Sequence, residues 1–152
     1  MNMQEIIDLA TQMEGKMSKC YEELSQFCRD ESISKELMVL SKEEIDHMNL
    51  LITGKNYVSE APEIFELKSD REFGMKEGLN RVMILIDKIK NKRVRFTEAM
   101  NDTFELEKLF EQLHLKTIIE VNDTSLKNLF KALSQGDKEH KKRLIEILKR
   151  LY

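Results

Sequence analysis

Apolar residues recur along this chain at alternating steps of three and four, the spacing that lines one face of a helix. Four long stretches keep that step. The first covers about 4–28, with Ile7, Ala10, Met17 and Leu24 on its stripe, and the second covers 31–53, with Ile33, Leu37, Leu40 and Leu51. The third covers 97–121 with Met100, Phe110 and Val121, and the fourth 124–151 with Leu126, Phe130, Leu144 and Ile147. Each stripe is apolar at both ends and polar at its centre. The central positions hold Glu14 in the first stretch, Glu44 and His47 in the second, Glu107 in the third, and Asp137 and His140 in the fourth. Core packing does not ask for this, because a buried carboxylate without a partner is strongly disfavoured. One partner shared by all four helices would explain every interruption at once.

The helix limits follow from local signals. Asp30 is placed to cap the second helix, Gly54 reads as its stop signal, and Asp123 or Thr124 caps the fourth. Residues 55–96 form a long connection with the only proline, Pro62. Inside it, Ser69-Asp70-Arg71-Glu72 has the form of a capping box, which predicts an additional helix through about Ile89.

The chain also resembles itself. An offset of 93 residues carries Glu14 to Glu107, Glu44 to Asp137 and His47 to His140, and it keeps the apolar stripes in phase. Asp30, Ser32, Leu40, Ser41, Leu51 and Ile52 meet identical residues at the same offset. The same shift places His114 at the position of Tyr21, and His114 reads most simply as a partly buried seam histidine.

Composition narrows the class. With 152 residues the chain reads as a single domain over 1–152, long enough to bury a core. Its 35% charged residues, five glycines and one proline favour an all-α fold. A net charge of −3 leaves no basic footprint for nucleic acid. The N-terminus lacks the layout of a signal peptide, and the longest apolar run, 82–86, is too short to span a membrane. Cys20 and Cys28 stand eight residues apart on one helix, roughly 12 Å by the helical rise, beyond disulfide reach. Two free thiols fit a reducing, cytoplasmic setting.

The polar centres can hold metal. Residues three apart share a helix face, so Glu44 with His47, and Asp137 with His140, can each reach one point. Four carboxylates balance two divalent cations while both histidines stay neutral. Oxygen-rich ligation with two nitrogens suits iron or manganese better than a structural zinc site. Glycine 136 offers a competing reading, in which it interrupts the last helix and leaves Asp137 as an N-cap without a metal role.

A Glu from each of two helices, with an acid-x-x-His pair from each of the other two, resembles the ferritin-like di-iron carboxylate superfamily, and within it the rubrerythrin-like branch. The resemblance covers the four long helices, about two thirds of the chain, and includes Tyr21, seven residues after Glu14, where such proteins place a tyrosine beside the metals. It implies an up-down-down-up four-helix bundle with a crossover helix between the second and third, and two iron ions bound by Glu14, Glu44, His47, Glu107, Asp137 and His140. His47 would serve one ion and His140 the other, with O2 or peroxide as oxidant, a separate electron-donor protein and a homodimer as the expected partners. Three departures stand out: Asp137 replaces a longer Glu, Phe110 stands where rubrerythrin peroxidases place a second Glu, and the sequence holds no paired C-x-x-C of a rubredoxin domain. They weaken the implication of peroxidase turnover. Iron storage or sensing without turnover, and a helical interaction module with a decayed site, are the alternatives.

Overall fold

A computed structural model describes residues 2–61, 65 and 71–151. The fold is all-helical: α1 spans Met3–Phe27, α2 Glu31–Ser59, α3 Arg71–Lys90, α4 Phe96–Glu120 and α5 Thr124–Leu151, with no strand among the described residues. Short polar side chains set three of the starts by accepting otherwise free amide protons. Asn2 and Glu5 cap α1 reciprocally, at 2.9 and 2.8 Å. Asp30 accepts from the Ile33 amide of α2 at 3.1 Å, and Asp123 from the Leu126 amide of α5 at 3.0 Å.

Gly54 does not end α2. The helix continues to Ser59 because the glycine serves packing instead: a Cβ there would lie 2.5 Å from Leu129 Cδ2 of α5. The added turn buries Val58, and Tyr57 donates to Asp123 Oδ1 at 2.9 Å, tying the end of α2 to the start of α5. Pro62 and the Ser69-Asp70 half of the expected capping box lie outside the described residues. The helix expected after them is α3, ending at Lys90 beside the predicted Ile89.

Contacts between named residues give the helix directions. Ser18 pairs with Ser41 and Ser25 with Ser34, each hydroxyl donating to the other residue's carbonyl at 2.8–2.9 Å, so α1 and α2 run antiparallel at close range. Ion pairs Arg143–Glu43 and Arg150–Glu36 join α5 to α2, again with opposed directions. Phe27 stacks on Phe96, and Cys20 Sγ lies 3.6 Å from Thr103 Oγ1, so α1 opposes α4. Lys141 pairs with Glu111 between α5 and α4. Helix α3 lies against α1 and α4, burying Met75, Val82, Leu85 and Ile89. Its Gly78 sits over Phe110, whose ring a Cβ would meet at 2.8 Å.

The buried apolar side chains form one core, with Ile7, Leu51 and Phe130 on one side of the polar centres along their helices and Leu24, Leu37, Met100 and Leu144 on the other. Both cysteines are free, with Cys20 buried and Cys28 half-buried, and burial pushes the Cys20 thiol up to about 12. Among the described residues, no helix is long and apolar enough to cross a membrane.

Candidate metal centre

All six residues singled out from the stripes meet in the middle of the helices. Glu14, Glu44, Glu107, Asp137 and His140 are buried, and the His47 side chain alone keeps appreciable exposure, at 13%. Helix α5 is continuous through Gly136, so Asp137 is a mid-helix residue and not an N-cap. The glycine has a different use. A Cβ at 136 would lie 2.4 Å from His47 Cε1 and 2.5 Å from its Nε2, so the missing side chain is what lets the imidazole of α2 lie against α5.

Two linked clusters result. At one, His140 Nδ1 lies 2.7 Å from Glu44 Oε1 and 3.2 Å from Glu107 Oε1, and the Tyr21 hydroxyl donates to Glu107 Oε1 at 2.6 Å. At the other, His47 Nδ1 lies 3.3 Å from Glu44 Oε2 and 3.8 Å from Glu14 Oε2. There His114 joins in, with Nδ1 2.7 Å from Asp137 Oδ2 and Nε2 3.6 Å from Glu14 Oε1. Glu44 touches both clusters. Stacked His47 and His140 rings, 5.5 Å between centroids, lie side by side across them.

Ligand atoms come close enough for an ion in three sets, within 4.8 Å of one another: Glu14, Glu44 and His47; Glu14, His114 and Asp137; Glu44, Glu107 and His140. The acceptors here are also unspent. Both Glu14 oxygens, Glu107 Oε2, Asp137 Oδ1 and His114 Nε2 are buried without a hydrogen-bond partner among the described residues. Buried polar atoms are rarely left so, and five at one place cost far more than helix packing needs. A hard or borderline divalent cation accepts carboxylate oxygen and imidazole nitrogen together, so the donor set fits such an ion.

Charge crowding gives the same picture. Burial, followed by the charges of Glu14 and Glu107, holds the Glu44 and Asp137 carboxyls well above their usual range. Burial also pushes Glu14 up, but the adjacent Glu44 carboxyl and the His47 and His114 rings outweigh it and hold Glu14 down at about 2. His47 is raised, because Glu14 overcomes its burial, whereas burial lowers His114 and keeps that ring neutral. Tyr21 is raised well above its usual value by burial and by the carboxylates, so it stays a neutral donor to Glu107. Without cations these carboxylates cannot all ionise.

Comparison with family models, with curated proteins and with solved structures finds no match. The centre therefore stands on its own geometry. His114, whose position in the repeat predicts a partly buried seam histidine, is 1% exposed and lies in the centre. Its signal was the 93-residue offset that pairs it with Tyr21, a residue already expected at the site. Phe110, by contrast, packs beneath α3, which accounts for an apolar residue at that position.

Proposed function

We propose that the chain binds two divalent metal ions, iron in the first place and manganese as the substitute, and uses them in redox chemistry with O2 or peroxide. The observation that carries this reading is that the residues of three ion-sized ligand sets, each within 4.8 Å, carry five buried atoms without a hydrogen-bond partner among the described residues. Glu14 and His47 would hold one ion, Glu107 and His140 the other, and Glu44 and Asp137 would stand between them. On this reading α1, α2, α4 and α5 form an up-down-down-up, ferritin-like bundle and α3 belongs to the crossover, which the opposed residue pairings of α1 with α2 and α4, and of α5 with α2 and α4, support.

Two ferrous ions held by these residues would supply two electrons, the number that, with two protons, reduces one peroxide to two waters. The residues around them define how a small oxidant would enter and what it would meet. His47 carries the exposed edge of the centre, so an ion or a diatomic oxidant would reach it from the α2–α5 face. Tyr21 holds Glu107 in place by its 2.6 Å hydrogen bond. The raised carboxyls of Glu44 and Asp137 are protons that ion binding must release.

Elemental analysis after anaerobic loading with ferrous iron tests the reading, and about two ions per chain are expected. Replacing Glu44 and His47 together by Ala should abolish that stoichiometry, since Glu44 touches both clusters. Ion that binds only the folded chain should stabilise it by roughly 2.7 kcal/mol at 100 times its dissociation constant. A melting midpoint unmoved by saturating iron, or two ions still bound by the double variant, would remove the proposal. Peroxide or O2 consumption with a reductant then separates turnover from storage or sensing.

A further inference from the structure

We propose that His114 is a third imidazole ligand of the centre, so that its two metal positions are chemically unequal. The inference rests on the dinuclear reading above and goes beyond it, because neither the E-x-x-H spacing nor the four-carboxylate pattern includes this residue. In this reading the sets around His47 and His114, which share Glu14 and approach its two oxygens at 3.8 and 3.6 Å, serve one position, Glu107 and His140 serve the other, and Glu44 and Asp137 lie between.

Four observations carry it. His114 lies on α4 two turns after Glu107, and its side chain is 1% exposed. A histidine that merely fills a core has both ring nitrogens satisfied. Here Nδ1 has Asp137 Oδ2 at 2.7 Å, and Nε2 has no hydrogen-bond partner among the described residues. Nε2 instead faces Glu14 Oε1 at 3.6 Å, and Glu14 has both oxygens unpartnered as well. Finally, the 2.7 Å contact of Nδ1 with Asp137 Oδ2 orients the ring with Nε2 on the side of Glu14. A ligating histidine with its second nitrogen donating to a carboxylate is the usual way such a ring is oriented. The Phe130 ring, 5.9 Å away, backs the imidazole with an apolar wall, and the titratable groups acting on it are Glu14, His47 and Asp137 from other helices and Glu107 from its own.

The internal repeat sharpens the point. Its counterpart of His114 is Tyr21, and the counterpart of the His114–Glu14 approach is the Tyr21–Glu107 hydrogen bond. That contact is closed at 2.6 Å, whereas its twin stays open at 3.6 Å with a bare nitrogen on one side and bare oxygens on the other. One half is finished by a proton donor, and the other has room for an ion. A position with two imidazoles favours nitrogen-preferring ions such as ferrous iron or cobalt over manganese. The first equivalent of such an ion should therefore enter the His47–His114 half.

The test uses cobalt(II) as the probe on the full chain under anaerobic conditions. X-ray absorption of the wild-type protein loaded with two cobalt ions should count three imidazoles per pair. Titration should resolve two unequal steps. The His114→Asn variant keeps an amide donor near the Nδ1 position, and so the bond to Asp137, but removes Nε2. It should weaken the tighter step by about 10–100-fold or more and reduce the count to two imidazoles. Two imidazoles in the wild type, or unchanged steps in a folded His114→Asn protein, overturn the proposal while the dinuclear reading stands. Failure of the wild type to bind two ions overturns both. The wild-type count decides the matter even if the variant does not fold.

Discussion

The two ends of the centre share a helical register and differ in what completes them. At the Tyr21 end, a phenol on α1 donates to Glu107, and His140 is shared between Glu44 and Glu107 at hydrogen-bonding distances. At the His114 end, His47 stands 3.8 Å and His114 3.6 Å from Glu14, whose oxygens are both unpartnered. One end is nearly satisfied within the chain and the other is not. A repeated backbone geometry thus fixes where donors converge, while the single residue at the repeat position fixes whether the chain closes the contact itself. The helices differ in the same way. Reciprocal serine pairs draw α1 and α2 together, whereas the counterpart of Ser18 on α4 is Glu111, which reaches Lys141 instead.

The largest break in this comparison should come from Gly136→Ala. The added methyl would lie 2.4 Å from the His47 ring, and that ring can escape because it already has an exposed edge. Helix propensity favours alanine by about 1 kcal/mol, so the metal-free fold should stay within about 1 kcal/mol of the wild type. Ion affinity at the His114 end should fall by about 10–100-fold while the Tyr21 end keeps its ion. Calorimetric titration together with urea unfolding checks this. Equal losses at both ends would show that the ends are not independent.

A second difference appears with pH. In the metal-free protein, His47 has a folded pKa above its ordinary 6.5, and Glu44 and Asp137 are also raised. Stability from a raised group is complete below its unfolded pKa and is lost as pH rises through the folded one. Above about pH 7.5, one unit beyond the unfolded value, lowered His114 is neutral folded and unfolded alike, and Glu14, held at about 2, is ionised in both. Only the raised groups then contribute, so the metal-free melting midpoint should fall from about pH 7.5 to 9. Ions compete with those protons, so with saturating ferrous iron or manganese the slope should flatten or reverse. Parallel slopes with and without ion would place the ion elsewhere.

The smallest effect on ion binding should come from Tyr21→Phe. It removes the 2.6 Å donor to Glu107 Oε1, which His140 still approaches at 3.2 Å. The metal-free protein should lose about 1–3 kcal/mol, the usual cost of a buried bond to a charged group, and the loss should shrink once ion is bound. Two ions should remain. Chemical denaturation with and without metal measures the difference, and loss of an ion would make the tyrosine a ligand and not a positioning residue.

The sequence by itself determined a good deal. Periodicity located four long helices, the caps Asp30 and Asp123 marked two of their starts, and polar interruptions at Glu14, Glu44, His47, Glu107, Asp137 and His140 marked the residues that meet. These are properties of a 3.6-residue repeat and of side chains that bond to nearby amides, so they are legible without knowing what lies across the bundle. Three things were decided only by tertiary contact. Gly54 and Gly136 look like helix stops locally, but Leu129 and His47 need the space, and packing overrides propensity. Phe110 has the register of a site residue, but α3 covers it. His114 has the register of a core residue, but Asp137 takes one of its nitrogens and none of the described residues takes the other. Which residue faces which across four helices depends on helix rotation and separation, set by serine pairs, glycines and ion pairs far apart in sequence, and no local pattern carries that information.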